Sequence, residues 1–339
     1  MSMNRLLDKY DTVIFDMDGV ITSEQNYWNS AALTVREYLS SGRYFGNGDI
    51  DAAAMSADVS SIRGEVFSDD RLIDELKSRG VNSNWDLGYV TVLIALITKS
   101  ADPEKILDHA RTLPDNILDM YGSLAESAAA AAGLDPAEAG RNGRLWTDMR
   151  DCFQEWFLGD DVFREQYGRE PAQTGKPGLL HSEQPIIPMD SLKKLLCSLA
   201  ETKRVCTGTG RPYAELITPL RAWEVEKYFA ENGLCNYDHV AKAEKRFEGM
   251  TLTKPHPYMF LKALYGTDKD DAWILFGEHD RSEIERTLVV GDAGADILAA
   301  KAMGADFCAV LTGVAGKAAR GFFEEQGAEY ILGSAADLL

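Results

Sequence analysis

At 339 residues, with 45% apolar and 26% charged side chains, the chain has the composition of an ordinary globular protein of two domains or one large one. Its 35 Lys and Arg against 54 Asp and Glu leave a net charge of −19, a field that repels nucleic acid and anionic lipid and excludes both as general partners. The most apolar stretch, residues 90–97, is too short to span a bilayer, and the five cysteines (Cys152, Cys197, Cys206, Cys235 and Cys308) form no CxxC pair, which fits a reducing compartment.

In chain order, the N-terminal segment MSMNRLLDKYD lacks the apolar core of a secretory leader, so the expected location is the cytoplasm. Thr12-Val13-Ile14-Phe15 is a β-rich run without alternation, as in a strand buried on both faces, and it stops at Asp16. Residues 23–188 then read as helical. Ile106, Leu107, Ala110 and Leu113 recur at helical spacing, and Leu145, Trp146, Met149, Phe153, Trp156 and Phe157 form a broad apolar face. The alanine run 128–132 ends at Gly133, a helix stop. Residues 171–188 hold four of the eleven prolines and read as an extended connection between domains.

From there strands and helices alternate. Strands are predicted near 205–207, 287–290, 307–311 and 328–332, and helices over 191–201, 212–232, 257–265 and 296–303. This pattern predicts a doubly wound α/β parallel sheet, formed by residues 1–22 and 189–339, with a helical domain of residues 23–188 inserted after the first strand. In such sheets the site lies beyond the carboxyl ends of the strands. Residues 266–286, with Glu278-His279-Asp280, read as an acidic surface loop.

Four clusters fall at predicted strand ends. Asp16-Met17-Asp18-Gly19 places two carboxylates two residues apart, a pattern that a hard divalent cation compensates well. Thr207-Gly208-Thr209-Gly210-Arg211-Pro212 offers small residues and a helix start to an anion. Lys254, followed by Pro255 and Pro257, is a point charge on a stiff turn. Asp292 and Asp296 lie four residues apart, at a strand end and one turn into a helix. Singly, each has a plainer reading: a turn, a helix cap, an exposed lysine, or a capped helix.

Together, in this order, the four resemble the motifs of the haloacid dehalogenase (HAD) superfamily, and the inserted domain resembles its helical C1 cap, as in phosphoglycolate phosphatase and β-phosphoglucomutase relatives. The resemblance implies a Rossmann-like core and Asp16 as nucleophile. It implies Asp18 as general acid and base, and the second Asp points to phosphoryl transfer rather than dehalogenation. It implies a Mg²⁺ ion held by Asp16, the carbonyl of Asp18, Asp292 and Asp296. Thr209, with Thr207 as the alternative two residues away, and Lys254 would hold phosphoryl oxygens beside Gly210. Ser61-Ile62-Arg63-Gly64-Glu65 is similar to the specificity loop of such caps, which makes Arg63 a substrate-binding candidate; Lys77 reads as a solvated cation and Trp85 as packing. The implied activity is a Mg²⁺-dependent phosphatase of a small phosphorylated metabolite, working through an aspartyl-phosphate. A phosphomutase on the same scaffold and a catalytically idle binding protein are the alternatives, and a homodimer is left open.

Overall fold

The run Thr12-Val13-Ile14-Phe15 forms the central strand of a parallel sheet, and the reason is its burial: all four side chains are shut off from solvent. The structure, a computed structural model, describes residues 7–81, 83–114 and 116–339; the first six residues of the N-terminal segment lie outside the described residues. Six strands are described: β1 Thr12–Phe15, β2 Arg204–Gly208, β3 Leu234–Cys235, β4 Thr287–Gly291, β5 Asp306–Val310 and β6 Tyr330–Leu332. They pair in the order β3-β2-β1-β4-β5-β6, all parallel. From β1 the order runs one way to β2 and the other way to β4, and ligand crevices form where such an order reverses.

Side chains alternate across the sheet as strand geometry dictates. Val13, Phe15, Val205, Leu288, Val290 and Cys308 pack on one side with Leu192, Leu195 and Leu196 of the helix Met189–Ala200. Ile14, Cys206, Val289, Phe307 and Ala309 pack on the other with Met259 and Phe260 of the helix Tyr258–Tyr265 and Ile297 of the helix Gly294–Met303. A buried Leu, Ile or Phe side chain is worth about 1.5–3 kcal/mol, so two such layers supply most of what holds the sheet. The fold is the α/β doubly wound, Rossmann-like core expected from the sequence.

The chain divides into two units, residues 1–24 with 183–339, and residues 25–182. The boundaries expected after Thr22 and at 188 are corrected by local pairing. Ser23 N–H donates to the Gln184 carbonyl, Ile186 N–H to the Ile21 carbonyl, and Ile187 joins the core beneath the sheet. The segment 183–188 therefore belongs to the α/β unit.

The second unit is helical. The helix Asn84–Thr98 is buried through Asp86–Ala95, and Gln25–Ser40 packs against three helices: Asn84–Thr98, Val59–Phe67 and Arg144–Tyr167. Arg144–Tyr167 carries the expected aromatic face and is broken at Gly159, where residues 176–179 cross it: Asp160 N–H donates to the Lys176 carbonyl and Leu179 N–H to the Phe157 carbonyl. The Lys176 ammonium is wholly buried, 2.9 Å from Glu37 and 2.6 Å from Glu155. The Pro-rich connection is thus pinned to this unit up to Ser182 rather than running free.

Other expectations shift in detail. The helical stretch 212–232 stops at Ala222, with Glu224 at φ 60° and a short turn at Glu226–Tyr228 following. Residues 266–286 fold into two short helices, Asp271–Phe276 and Arg281–Glu285, rather than a loop. The two-residue strand β3 had no sequence signal. All five cysteines are free, and no helix among the described residues is long and apolar enough to cross a membrane.

Candidate active site

β1 and β4 are adjacent and parallel, so the residues that follow them emerge side by side. Asp16 N–H still donates to the Val290 carbonyl, which extends the ladder to the first carboxylate. Asp292 follows β4, and Asp296 sits in the first turn of Gly294–Met303. Carboxylate oxygens of Asp16, Asp292 and Asp296 lie within 4.8 Å of one another. No second cluster of this kind occurs among the described residues, so Glu278-His279-Asp280 builds none.

The surrounding chain is shaped around these groups. Gly19 has φ +73°, and a Cβ there would lie 2.4 Å from Asp292 Oδ2. A Cβ on Gly313, after β5, would lie 1.8 Å from the same oxygen. The Thr312 hydroxyl donates to the Gly19 carbonyl at 2.5 Å, tying the two loops together across Asp292.

Lys254 supplies the positive charge. Its Nζ is 2.7 Å from Asp16 Oδ1 and 2.8 Å from Asp296 Oδ1, and its side chain is only 11% exposed. One cation among three carboxylates leaves an excess of negative charge. Burial accordingly pushes the Asp16 carboxyl up to about 7, against the pull of Lys254 and with the repulsion of Asp296 and Asp18. Loss of solvent drives Asp292 well above the usual carboxylate range, and the charges of Asp296 and Asp16 add to it. Burial alone would lower the Lys254 ammonium, but Asp16 and Asp296 outweigh it and hold it above its ordinary value. Hard oxygen donors, close together and short of positive charge, suit Mg²⁺, which needs only one or two carboxylates besides a phosphate ligand. The residues fit the expected ion.

Thr207 and Thr209 differ in what their hydroxyls meet. Thr207 Oγ1 donates to the Phe15 carbonyl at 2.8 Å and serves the sheet. Thr209 lies past the end of β2; its N–H donates to the Cys235 carbonyl, and its hydroxyl accepts from the Arg211 N–H at 3.2 Å. A Cβ on Gly210 would meet nothing within 4 Å, so the backbone there is open to a ligand.

Asp18 is not in the acidic cluster. Its carboxylate, 30% exposed, faces the Arg211 guanidinium, with Nη2 at 2.5 Å and Nε at 3.0 Å from Oδ1. Arg211 is itself held by the buried Glu183, at 2.5 and 2.8 Å. Burial raises Glu183 above the usual carboxylate range against the pull of Arg211. Sequence reasoning missed this pair. Arg211 stands in the Thr-Gly-Arg-Pro run with nothing local to name its partners, and Glu183 sits in a connection with no pattern to mark it.

Arg63 belongs to the other unit. The stretch expected to be a loop is the helix Val59–Phe67, where Arg63 binds both oxygens of Asp70 along its Nε–Nη2 edge and lies 4.8 Å from the Trp28 ring. Lys77 lies over the same ring at 5.8 Å, and Trp85 packs edge-on against Trp146 at 6.2 Å.

The HAD-hydrolase-like family pattern matches residues 251–338, the stretch that holds Lys254, Asp292 and Asp296. No curated protein matches the chain. An X-ray structure from the Northeast Structural Genomics Consortium is 28% identical, with 97% of each chain covered and a TM-score of 0.84. A phosphatase from Thermococcus thioreducens is 17% identical over 87% of this chain and 90% of its own, at a TM-score of 0.49. A HAD family hydrolase from Deinococcus radiodurans R1, with bound phosphate and sodium, is 16% identical over 97% and 93%, at 0.44.

Proposed function

We propose that this chain, whose core is a haloacid dehalogenase superfamily core, is a divalent-metal-dependent phosphatase acting on a small phosphorylated metabolite through an aspartyl-phosphate. The observation that carries the reading is the convergence of Asp16, Asp292, Asp296 and Lys254, drawn from three separate stretches of chain, with the carboxylate oxygens within 4.8 Å of one another and the Lys254 ammonium paired with Asp16 and Asp296.

Asp16, Asp292 and Asp296, with the Asp18 carbonyl, would hold Mg²⁺. When bound, the ion neutralises the excess negative charge and stabilises charge on the transferring phosphoryl group. The chain's own groups do the rest. An Asp16 oxygen forms the bond to phosphorus as the bond to the leaving oxygen breaks. The electron pair stays with that oxygen, which takes a proton from Asp18. Water then attacks phosphorus, gives its proton to Asp18, and releases Asp16 and inorganic phosphate. Lys254 and the hydroxyl of Thr209 hold the phosphoryl oxygens, with the open backbone at Gly210 beside them. This is catalysis by positioning and charge stabilisation, as phosphoryl transfer requires.

The test is phosphate release from an aryl phosphate with and without Mg²⁺, in the wild type and in Asp16→Asn. Mg²⁺-dependent turnover lost in Asp16→Asn is expected. Turnover that survives the substitution, or that ignores the metal, refutes the assignment.

A further inference from the structure

All five N–H groups of the Arg211 guanidinium have acceptors. Nε donates to Asp18, 3.0 Å from Oδ1 and 3.1 Å from Oδ2. Nη2 donates to Asp18 Oδ1 at 2.5 Å and to Glu183 Oε1 at 2.5 Å. Nη1 donates to Glu183 Oε2 at 2.8 Å and to the Glu215 carbonyl at 3.2 Å. A planar fork bound along two edges cannot turn, and at 1% exposure its side chain has no solvent to turn into. Its backbone is fixed as well, by the Thr209 hydroxyl below its N–H and by the Tyr237 N–H on its carbonyl.

Asp18 depends on that fork. Its side chain is 30% exposed and would otherwise choose among rotamers. The contacts fall unequally on its two oxygens. Among the described residues, Oδ1 accepts from Arg211 Nε, Arg211 Nη2 and the Thr22 hydroxyl at 3.2 Å, and Oδ2 accepts from Arg211 Nε at 3.1 Å.

We infer that Arg211, backed by Glu183, is the positioning residue for Asp18: it holds the carboxyl in the one orientation from which it serves the leaving group. The inference rests on the reading of Asp18 as the proton donor in the proposed phosphatase. Arg211 acts through Asp18 and does not touch the substrate. A lysine could not replace it, because one ammonium cannot span both carboxylates along two edges.

The experiment measures kcat/KM with Mg²⁺ over a series of alkyl and aryl phosphates of rising leaving-group pKa. The variants are Asp18→Asn, Arg211→Met, Arg211→Lys, Glu183→Gln and the double variant Asp18→Asn/Arg211→Met, each checked for folding by circular dichroism. General acid help is worth about 10²–10⁴-fold and matters most for poor leaving groups. Arg211→Met is expected to lose about 100-fold on the poorest leaving group, with the loss growing along the series as it does for Asp18→Asn. Arg211→Lys and Glu183→Gln are expected to lose less, with the same trend. The double variant should be no slower than Asp18→Asn alone, because the two side chains act as one unit. Should Arg211→Met fail to fold, Glu183→Gln carries the test, since it keeps the size of the buried side chain. Losses that are equal across the series, or that add in full to those of Asp18→Asn, overturn the assignment of Arg211. A flat series for Asp18→Asn itself instead overturns the reading of Asp18 as the acid.

Discussion

Gly313→Ala tests whether the site depends on where the Asp292 carboxylate is held. The new Cβ would lie 1.8 Å from Oδ2, 2.7 Å from Cγ and 2.8 Å from Cβ of Asp292. Ordinary contacts of this kind lie near 3.5 Å, so the carboxylate must retreat by about 1.7 Å. Gly313 is not among the positive-φ residues, so alanine brings no backbone strain and the effect is steric. The loop of Gly19 also crowds this oxygen, since a Cβ on Gly19 would lie 2.4 Å from Oδ2. A misplacement of about 1 Å in a catalytic array costs roughly 100-fold in rate. The expected result is a loss of about 100-fold in Mg²⁺-dependent phosphate release, and Mg²⁺ binding weakened about tenfold or more, equivalent to about 1.4 kcal/mol. Calorimetric Mg²⁺ titration and the phosphatase assay read both. Gly321→Ala is the control, because a Cβ there meets nothing within 4 Å. It should bind Mg²⁺ and turn over as the wild type does. Unaltered Mg²⁺ affinity and rate in Gly313→Ala would refute the placing of Asp292 in the metal site.

Two further outcomes follow from buried charge. Without metal, the folded protein keeps a proton on Asp16 up to a pH of about 7, whereas the unfolded chain releases it near 4. Between those values the folded state binds more protons, so stability falls as pH rises, by at most about 4 kcal/mol from Asp16. Denaturant unfolding from pH 4 to 8 should show this slope, reduced by saturating Mg²⁺ and by Asp16→Asn; equal slopes in all three would count against it. In the helical unit, Lys176→Met leaves the Glu37 and Glu155 carboxylates, both wholly buried, without their cation. Breaking such a cluster costs about 3–5 kcal/mol, read as a lower midpoint in urea; a loss under about 1 kcal/mol would show that the lysine does not neutralise them.

The local grammar of the chain was enough for the core. Unalternating β-rich runs at 12–15 and 287–290 predicted doubly buried strands because parallel sheets covered on both faces select for them, and Asp16 and Asp292 followed at their ends. Lys254 and Asp296 were legible for the same reason: each stands where a strand or a stiff turn hands over to a helix. Short elements were not legible, since the two residues of Leu234–Cys235 carry no period.

What the sequence could not determine was which groups meet. Thr207 and Thr209 are equivalent on paper, and only the neighbouring strand shows that the Phe15 carbonyl has taken the first. Arg63 has the charge of a ligand-binding residue, and only the structure shows that one edge of its guanidinium is paired with Asp70. Glu183 and Asp18 are 165 residues apart in number, and no periodicity links them; a single buried guanidinium brings them together. Strand and helix signals come from backbone and burial preferences that act over a few residues. Charge pairing depends on distances set by the whole packed sheet, and so it was decided only when the chain folded.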